Sequence, residues 1–584
     1  MTVTAKTLCE AFQSTAAVAP YAVALRTADD TVVVTWGEYA ERVRRLAAGL
    51  AALGVRPGDT VGLMLTNRPE FHLLDTAVLH LGAIPFSIYN SNPPEQINQV
   101  FANAGNRIVL CEKQFVEVLT AAQAVERLIC LDKVGELMTV ADLEALGDPD
   151  FDFESAWRAV DPEAPATIIY TSGTTGPPKG VELTHTNILA VHKAVDAMAA
   201  LGPADEMISY LPDAHVANRM LCHYASQIFG VRIATLANLR QIGDALKAVR
   251  PTIFLGVPQT WYKLKAAIEA AVAEQSGVKK ALATWALDVG REVARQASAG
   301  RPLAGSLRVR HALAQRLVLA KLRGTLGLDR ARLAVSGAAP IAPEAHEFVL
   351  GLGLPVLETW GMSECAAVAT LNPPHAWRIG TVGPAIPTCE LALADDGELL
   401  IRGPMVMPRY RDAPEQTASA IDAEGWLHSG DLATVDLDGY YRIVGRKKEI
   451  IINSGGKNMS PNNIEGALRV ACPLLGQVVA VGDRLPHVTA LLTLDPDAAA
   501  AYAARNGLAD AAPAALAADP GVRRVVEAAV VQANASLARV EQIKNFTILP
   551  EVWEPGGELL TPTLKLKRQP ILERYAAEIA LMYP

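Results

Sequence analysis

The chain has 584 residues, half of them hydrophobic, which is too many for one hydrophobic core and predicts two or more domains. Its 62 acidic residues outnumber its 53 basic residues, and the net charge of −9 excludes a general electrostatic attraction to nucleic acid. The seven cysteines are scattered, without Cys-x-x-Cys pairs or histidine pairs at metal-ligand spacing, which is typical of reduced thiols. The sequence begins without a signal-peptide pattern and has no apolar run of about 18 residues, so we expect a cytoplasmic protein.

Helical and strand patterns alternate along the first part of the chain. The segment 35–53 predicts an amphipathic helix, because Tyr39, Val43, Leu46 and Leu50 recur at helical spacing. Further predicted strands cover 60–65, 83–88 and 107–111, and predicted helices cover 69–81 and 94–104. Regular alternation of this kind indicates a parallel sheet within a layered α/β architecture.

The segment 170–180 is the most informative stretch of the sequence. It follows an apolar run, precedes a helical pattern and reads Tyr-Thr-Ser-Gly-Thr-Thr-Gly-Pro-Pro-Lys-Gly. Glycines expose backbone N–H groups, hydroxyls donate hydrogen bonds and a lysine supplies positive charge, so this composition suits a phosphate-binding loop. A flexible connector rich in Ser, Thr and Gly has the same composition and is the alternative. Lys179 is followed by Gly180, which excludes a Walker A loop. The predicted phosphate-binding residues are Thr171, Ser172, Gly173, Thr174, Thr175, Gly176 and Lys179.

The middle of the chain contains a predicted helix over 186–198, a strand over 251–258 and a long helical region over 261–330. Before that region, His215 lies in a short polar island and is either a pocket residue or a structural histidine. The region 261–330 has thirteen Lys and Arg residues against five Asp and Glu residues. Its excess charge indicates either a solvated helical face or a patch that contacts an anionic membrane surface.

Strand and helix patterns return at 333–340 and 355–364, and glycine-rich strand patterns fill 380–445. A charged, glycine-flanked junction at 445–448 precedes a new set of strands and helices. We therefore predict an N-terminal domain over 1–446 and a smaller C-terminal domain over 447–584.

Several separated motifs together resemble the adenylate-forming, or AMP-binding, superfamily, and most closely its long-chain fatty acid–CoA ligases. They are the loop 170–180, the Thr-Trp-Gly-Met-Ser-Glu segment 359–364, Ser-Gly-Asp at 429–431, the segment 453–461 and Leu-Thr-Pro-Thr-Leu-Lys-Leu-Lys-Arg at 560–568. The resemblance implies a large N-terminal domain of layered β-sheets and helices and a smaller, mobile α+β C-terminal domain.

The reaction implied by this resemblance uses ATP to convert a medium- to long-chain fatty acid into an acyl-adenylate. Coenzyme A then takes the acyl group, and the products are acyl-CoA, AMP and pyrophosphate. Mg²⁺ is the implied metal. Because a fatty carboxylate is already ionised at neutral pH, the site has to supply charge neutralisation and alignment rather than a general base.

The resemblance also implies roles for individual residues. Lys565, Glu364 and Thr174 are the implied catalytic residues, and the last two would hold Mg²⁺. His215 would line the acyl pocket, and Lys448 would be the hinge of the C-terminal domain. The other implied nucleotide-binding residues are Gly337, Ala338, Trp360, Gly361, Met362, Ser363, Asp431 and Arg446, and those of the CoA tunnel are Gly455 and Gly456.

Some positions depart from the family pattern. Asp213 and Asn218 replace the residues usual in the segment thought to guide the acyl group, and Thr563-Leu564-Lys565 stands where many relatives have Ser-Gly-Lys. Three alternatives stay open: a fatty acyl-AMP ligase that loads a carrier protein, a ligase for an aryl or branched acid, and a non-catalytic sensor of acyl groups or nucleotides. A peripheral membrane contact through 261–330 and a homodimer are also left open.

Overall fold

The structure is a computed structural model that describes residues 4–122, 125–171, 178–454 and 457–583. Helices and strands alternate through most of it, and the predicted α/β class is confirmed. The α-helices of the first half are Leu8–Val18, Trp36–Ala52, Pro69–Leu79, Pro94–Ala104, Val116–Ala121, Val140–Leu146, Phe153–Arg158, His185–Ala199, Val216–Asn218, Ala225–Phe229, Ile242–Val249, Pro258–Ala273 and Gly277–Ser298. Those of the second half are Gly305–Ala314, Ala320–Leu326, Pro343–Gly351, Pro414–Ala420, Pro461–Ala471, Pro496–Asn506, Pro513–Ala517, Pro520–Ser536, Arg568–Arg574 and Ala576–Leu581.

A five-stranded parallel sheet forms from the first run of strand patterns. Its strands, in spatial order, are Ile84–Ser87, Thr60–Met64, Ile108–Cys111, Arg127–Cys130 and Met138–Thr139. The strands Ile84–Ser87, Thr60–Met64 and Ile108–Cys111 are buried along their whole length, as expected when helices cover both faces of a parallel sheet. The helix Trp36–Ala52 begins at a capping box formed by Thr35 and Glu38, and it buries Tyr39, Val43, Leu46 and Leu50 as predicted.

Two four-stranded, largely parallel sheets hold the middle of the chain. One orders the strands Glu206–Ser209, Arg232–Thr235, Val23–Thr27 and Val33–Thr35, and the other orders Ile253–Gly256, Leu333–Ser336, Val356–Trp360 and Thr370–Leu371. In each sheet the last strand is antiparallel to its neighbour. The carboxyl ends of the parallel strands form an edge where ligands commonly bind in α/β proteins.

Two antiparallel sheets complete this part of the molecule. A three-stranded sheet orders Arg409–Tyr410, Lys179–Thr184 and Pro165–Thr171, and a four-stranded sheet orders Glu390–Leu393, Glu398–Arg402, Leu427–Val435 and Tyr441–Arg446. The segment after the predicted phosphate-binding loop therefore differs from expectation, because the strand Lys179–Thr184 precedes the helix His185–Ala199. Six backbone pairings with the strand Pro165–Thr171 hold this segment extended.

Beyond Arg446, the chain builds separate hydrophobic clusters around a small sheet. A two-stranded ribbon joins Ile451–Ile452 and Asn458–Met459, and a three-stranded sheet orders Leu475–Val481, Val488–Leu494 and Ile543–Ile548. This part contacts the larger one: Lys263 forms a 3.1 Å ion pair with Asp495, and Gly556 lies against Ser91. Across the ranges that the structure describes, no helix is both long and apolar enough to cross a membrane.

The predicted helical region 261–330 divides into consecutive helices. Pro258–Ala273, Gly277–Ser298 and a third helix from Gly305 to Leu326 are separated by turns. The third helix contains a widened π-helical segment at Gln315–Leu319. Leu307, Ala314 and Val318 attach it to the hydrophobic cluster beneath.

Candidate active site

Predicted site residues lie at the carboxyl ends of two neighbouring parallel strands. Gly337 and Ala338 follow Leu333–Ser336, while Gly361 follows Val356–Trp360. Ala338 has a φ of +68°, a left-handed conformation that costs a residue with a Cβ about 1–2 kcal/mol. A Cβ on Gly361 would lie 2.2 Å from the carbonyl oxygen of Ala367, so only glycine fits this close approach.

Trp360, Asp431 and Arg446 are joined by direct contacts. The indole Nε1 of Trp360 donates to Oδ2 of Asp431 at 2.8 Å, and Nε of Arg446 lies 2.7 Å from Oδ1. The ion pair follows from strand register, since Asp431 and Arg446 are opposite each other in an antiparallel pair. Burial raises the pKa of Asp431, and the neighbouring Arg446 opposes that rise. Each carboxylate oxygen retains a second lone pair that can accept from a ligand hydroxyl.

Tyr410 connects Glu364 to Lys179. Its hydroxyl donates to Oε1 of Glu364 at 2.7 Å, and the Nζ of Lys179 lies 4.9 Å from the centre of its ring. Burial, followed by repulsion from the carboxylate of Glu364, raises the pKa of Tyr410, so the phenol stays protonated. The backbone N–H of Met407 also donates to the carbonyl oxygen of Glu364 at 2.8 Å. Lys179, Trp360, Glu364 and Asp431 therefore lie around one region rather than around separate cavities.

Lys565 lies on a tight hairpin near the end of the chain. Its carbonyl oxygen accepts from the backbone N–H of Thr561 at 2.9 Å, and its own N–H donates to the Thr561 hydroxyl at 3.0 Å. Leu564 has a φ of +63°, the region that favours glycine, and it occupies the position of glycine in the Ser-Gly-Lys form of the motif. Lys567 is placed differently, because its Nζ donates to the carbonyl oxygen of Gly557 at 2.9 Å.

The side chain of Lys565 enters the space between the two parts of the molecule. The Lys565 side chain keeps some surface exposed to solvent, but many protein atoms lie around its ammonium group. The resulting partial desolvation, followed by repulsion from Arg446, lowers its pKa. The carboxylates of Asp431, Glu364 and Glu449 oppose that shift. One lysine from the C-terminal part is thus in electrostatic contact with three predicted residues of the N-terminal part.

Arg568 ties this hairpin to the start of the C-terminal part. It contacts Glu449 through Nε at 2.9 Å, and its two terminal nitrogens bind Glu465 at 2.8 and 3.0 Å. The two-point contact fixes the guanidinium plane and, with it, the hairpin that carries Lys565. Lys448, the predicted hinge, is exposed next to Glu449.

His215 is half-buried beside this space. Its Nδ1 accepts from the N–H of Ala217 at 3.2 Å, and burial followed by the charge of Lys565 lowers its pKa, so the ring is neutral. Asp213 and Asn218 lie behind it rather than on an open wall: Nδ2 of Asn218 donates to Asp213 at 2.5 Å, and Asn67 donates from the other side at 3.2 Å. Burial raises the pKa of Asp213 to about 7.

Several predicted residues lie outside the described residues, namely Ser172, Gly173, Thr174, Thr175, Gly176, Gly455 and Gly456. Thr171 and Lys179, which flank the first group, are paired across the hairpin of Pro165–Thr171 and Lys179–Thr184. Met362 and Ser363 are half-buried in the turn that leads to Glu364.

The sequence did not single out Tyr410, Glu449 or Glu465. Tyr410 follows Pro408 and Arg409 in a segment without a distinctive pattern, and its contact with Glu364 depends on pairing between Arg409–Tyr410 and the strand Lys179–Thr184. For Glu449 and Glu465, the available signal was charge complementarity, because a largely buried Arg568 needs acidic partners.

Glu364 fits a role in holding Mg²⁺ together with a ligand's phosphates. Within the described ranges, no cluster of three or more His, Cys, Asp or Glu side chains could hold a metal by itself. Mg²⁺ is commonly bound by one or two carboxylates plus substrate phosphates and water, and Oε2 of Glu364 is not engaged by Tyr410.

Comparison with protein families gives two matches that together span most of the chain. Residues 12–411 match the AMP-binding enzyme family, and residues 448–584 match the AMP-binding enzyme C-terminal domain. Among solved structures, the anthranilate CoA ligase AuaEII in complex with anthranoyl-AMP superposes with a TM-score of 0.72 at 19% identity. That superposition covers 98% of each chain and shows a shared fold.

Among named relatives, fadD11 of Mycobacterium tuberculosis (strain ATCC 25618 / H37Rv), provisionally named a fatty-acid–CoA ligase, is 49% identical. The match covers 76% of this chain and 78% of that protein. The long-chain-fatty-acid–CoA ligase FadD15 of Mycobacterium bovis is 37% identical over 94% of this chain and 92% of its own. The long-chain-fatty-acid–CoA ligase ACSBG2 of Gallus gallus is 30% identical over 95% of this chain and 78% of its own.

Proposed function

Because the chain belongs to the AMP-binding enzyme family, we propose that it is an AMP-forming fatty acid–CoA ligase. It activates a medium- to long-chain fatty acid with ATP and transfers the acyl group to coenzyme A. The observation that carries this proposal is the placement of Lys565 in electrostatic contact with Glu364, Asp431 and Arg446. Relatives named as long-chain fatty-acid–CoA ligases, similar over nearly the whole chain, support the choice of acid and acceptor.

In the first step, an oxygen of the fatty carboxylate bonds to the α-phosphorus of ATP. The bond between that phosphorus and the oxygen leading to the β-phosphate breaks, and pyrophosphate leaves with the electron pair. Lys565 would neutralise the charge that the carboxylate and α-phosphate bring together. Desolvation and repulsion from Arg446 lower its pKa, and the carboxylates of Asp431, Glu364 and Glu449 oppose that shift. The negative charges of bound ATP and fatty acid would further favour its cationic form, which is the form that neutralises charge.

The nucleotide would lie across the strand ends. Trp360 would stack on adenine above Gly337 and Ala338, and the free lone pairs of Asp431 would accept from the ribose hydroxyls. Lys179, held over Tyr410, would bind the phosphates with the loop 171–176. Gly361, Met362 and Ser363 would shape the wall between adenine and Glu364.

Glu364, with Thr174, would hold Mg²⁺ against the phosphates, where the ion would neutralise charge on the leaving pyrophosphate. Tyr410 orients Glu364 for this role, because its hydroxyl fixes one carboxylate oxygen and leaves the other for the metal. His215, neutral and half-buried, would line the path of the acyl chain.

In the second step, the sulfur of coenzyme A bonds to the acyl carbon and its proton passes to solvent. The bond between that carbon and the phosphate oxygen breaks, and AMP leaves with the electron pair. The C-terminal domain, which we place at 447–584 after an N-terminal domain over 1–446, would rotate about Lys448 between the steps. That rotation would withdraw Lys565 and bring Gly455 and Gly456 to the pantetheine arm. The exposed position of Lys448, next to the Arg568-bound Glu449, suits a pivot.

The test is a direct assay of both half-reactions. Purified protein is incubated with ATP, Mg²⁺ and saturated acids from acetate to C20, with aromatic and branched acids for comparison. We expect pyrophosphate release to be greatest with medium- to long-chain acids, and AMP and acyl-CoA to form in equal amounts when free coenzyme A is added. Pyrophosphate release without thioester formation would instead favour a ligase that loads a carrier protein, and no release with any acid would overturn the proposal.

A further inference from the structure

The outer face of the third helix of the region 261–330 has an unusual charge pattern. Between residues 293 and 328 the sequence has seven Arg and Lys residues and no Asp or Glu. The whole chain is acidic, with a net charge of −9, so this stretch departs strongly from its surroundings. Random placement of solvated charges mixes both signs, whereas a long acid-free stretch creates a positive local field.

Within that stretch, Arg310, Arg316 and Lys321 are exposed and form no ion pair with any residue that the structure describes. Other exposed arginines of the protein are commonly paired, as Arg295 is with Glu292 at 3.0 Å. Three unpaired cations on one helix therefore keep their full charge available to a partner.

The same helix exposes a row of apolar side chains. Val309, Leu313 and Leu317 follow one another at four-residue spacing, with 62%, 48% and 43% of their surface exposed. The opposite side is fixed to the protein, because Leu307, Ala314 and Val318 are buried in the cluster beneath. The helix is thus apolar on both sides, which a helix facing only water is not.

From these observations we propose that the exposed face of the helix from Gly305 to Leu326 binds an anionic lipid bilayer surface, and we call it the basic helix face. An exposed apolar row flanked by lysines and arginines is the pattern of helices that lie in a membrane interface, with apolar side chains below the headgroups and cations among them. The helix is about 30 Å long, so it can lie flat along a surface.

A positively charged surface can bind either an anionic bilayer or an acidic protein. The row of exposed apolar side chains favours the bilayer. A soluble acidic domain would pair with the cations but would bury Val309, Leu313 and Leu317 only if it offered a matching groove. Fluid lipid chains accept such side chains without a fixed shape.

Binding at this face would leave the candidate active site open. Arg323, near the end of the helix, donates to the carbonyl oxygen of Leu352, which precedes the strand Val356–Trp360. The site residues follow the opposite end of that strand. The C-terminal domain and the cleft that holds Lys565 would therefore remain accessible while the basic helix face contacts lipid.

The biological role of the basic helix face rests on the proposed function. A long-chain fatty acid partitions into bilayers, and an enzyme bound to the bilayer would collect its substrate there. Lipid binding itself does not depend on catalysis, so it is measured without ATP, acid or coenzyme A. The full-length protein is sedimented with vesicles of phosphatidylcholine alone or with phosphatidylglycerol added. We expect binding only to the anionic vesicles and a marked loss of binding in high salt.

Two triple variants separate the contributions of charge and apolar surface. Arg310→Gln/Arg316→Gln/Lys321→Gln and Val309→Ser/Leu313→Ser/Leu317→Ser should each lower the partition coefficient at least tenfold. The matched controls are Arg505→Gln/Arg539→Gln/Lys544→Gln and Val525→Ser/Val531→Ser/Leu581→Ser, which change exposed residues of the C-terminal part and should bind like the parent protein.

Activity on a water-soluble short or medium-chain acid should be the same for all variants, which shows that they are folded. Absence of binding to anionic vesicles, or equal binding by the helix variants and their controls, would overturn the proposal. Binding to an acidic carrier protein with no binding to vesicles would overturn it as well. A protein that binds vesicles but releases no pyrophosphate with any acid would contradict the proposed function and leave the basic helix face in place.

Discussion

The indole N–H of Trp360 donates to Oδ2 of Asp431 at 2.8 Å, joining the end of a parallel strand to an antiparallel sheet 71 residues later in the chain. Arg446 occupies the other oxygen at 2.7 Å. This arrangement holds the carboxylate in one orientation before any ligand arrives, and that preorganisation reduces the entropic cost of binding a ribose diol. The aromatic ring and the carboxylate are therefore positioned as a unit.

Replacing Asp431 with asparagine tests this unit. The amide has a single acceptor atom, so it cannot bind Trp360, Arg446 and a diol together, and we expect the KM for ATP to rise about tenfold or more. Trp360→Phe is the comparison, because it keeps a ring but removes the N–H, and its KM should rise less than that of Asp431→Asn. An unchanged KM for ATP in Asp431→Asn would show that this carboxylate does not contact the nucleotide.

Lys565 and Lys567 provide a matched pair on one hairpin. Lys565→Ala should lower the rate of pyrophosphate release by about 10²–10³-fold, since it removes the cation aimed at the developing charge, while ATP binding changes modestly. Lys567 instead donates to the carbonyl oxygen of Gly557, so Lys567→Ala should leave the rate within a few-fold of the parent. Both rates are measured by pyrophosphate release at saturating ATP, and the reverse order of effects would assign the catalytic role to Lys567.

Tyr410→Phe separates the two contacts of Tyr410. The ring that faces Lys179 is kept, whereas the hydrogen bond to Glu364 is lost. We expect the Mg²⁺ concentration needed for half-maximal activity to rise about tenfold, because Glu364 is no longer held in one orientation. The Mg²⁺ dependence is measured at fixed ATP. A fall in kcat with an unchanged Mg²⁺ dependence would assign Tyr410 to the acid or phosphate rather than to Glu364.

The contrast between Trp360 and Tyr410 shows what sequence reasoning reaches in this protein. Trp360, Glu364, Asp431 and Lys565 belong to motifs whose local order carries information, and the strand Val356–Trp360 lies where the sequence pattern predicts one. Tyr410 lies in a two-residue strand, and its contact with Glu364 arises from pairing with Lys179–Thr184, which no local pattern encodes. The same limit explains the strand that follows the loop 170–180, because its extended form depends on the neighbouring strand Pro165–Thr171.

Asp213 illustrates a second limit. From the sequence it was expected to alter the acyl wall, yet it lies behind His215 and is bound by Asn218 and Asn67. A sequence does not show whether such a polar residue lines a pocket or is buried, because two polar side chains can form a hydrogen bond with each other inside the protein. Sequence position located Asp213 near the pocket, and only the packing decided which way it faces.

Gly361 and Gly337 form a comparison of two glycines at adjacent strand ends. A Cβ on Gly361 would lie 2.2 Å from the backbone oxygen of Ala367, whereas one on Gly337 would lie 3.1 Å from a side-chain methyl of Thr359. Gly361→Ala should therefore displace the turn to Glu364, lowering ATP affinity by tenfold or more and reducing the thermal stability. Gly337→Ala needs a shift of a few tenths of an ångström and should change both quantities much less. Equal effects of the two substitutions would show that the turn after Trp360 adapts to a side chain.

Asp213 also predicts a specific dependence of stability on pH. Burial raises its pKa from 3.8 to about 7, so between these values the folded protein keeps a proton that the unfolded chain releases. The stabilising contribution is complete below pH 4 and is lost as the pH rises towards 7, at about 1.4 kcal/mol per pH unit. In Asp213→Asn this dependence is absent, and the loss of one of the two acceptor oxygens lowers the stability by an amount that does not vary with pH. The difference in unfolding free energy between parent and variant, measured in urea from pH 4.5 to 8, should therefore shift in favour of the variant as pH rises and level off above pH 7.

Glu358, whose pKa burial raises to about 8, titrates in both proteins and cancels in this difference. A difference that does not vary with pH would mean that Asp213 is ionised throughout, and that Asn67 and Asn218 compensate a buried charge.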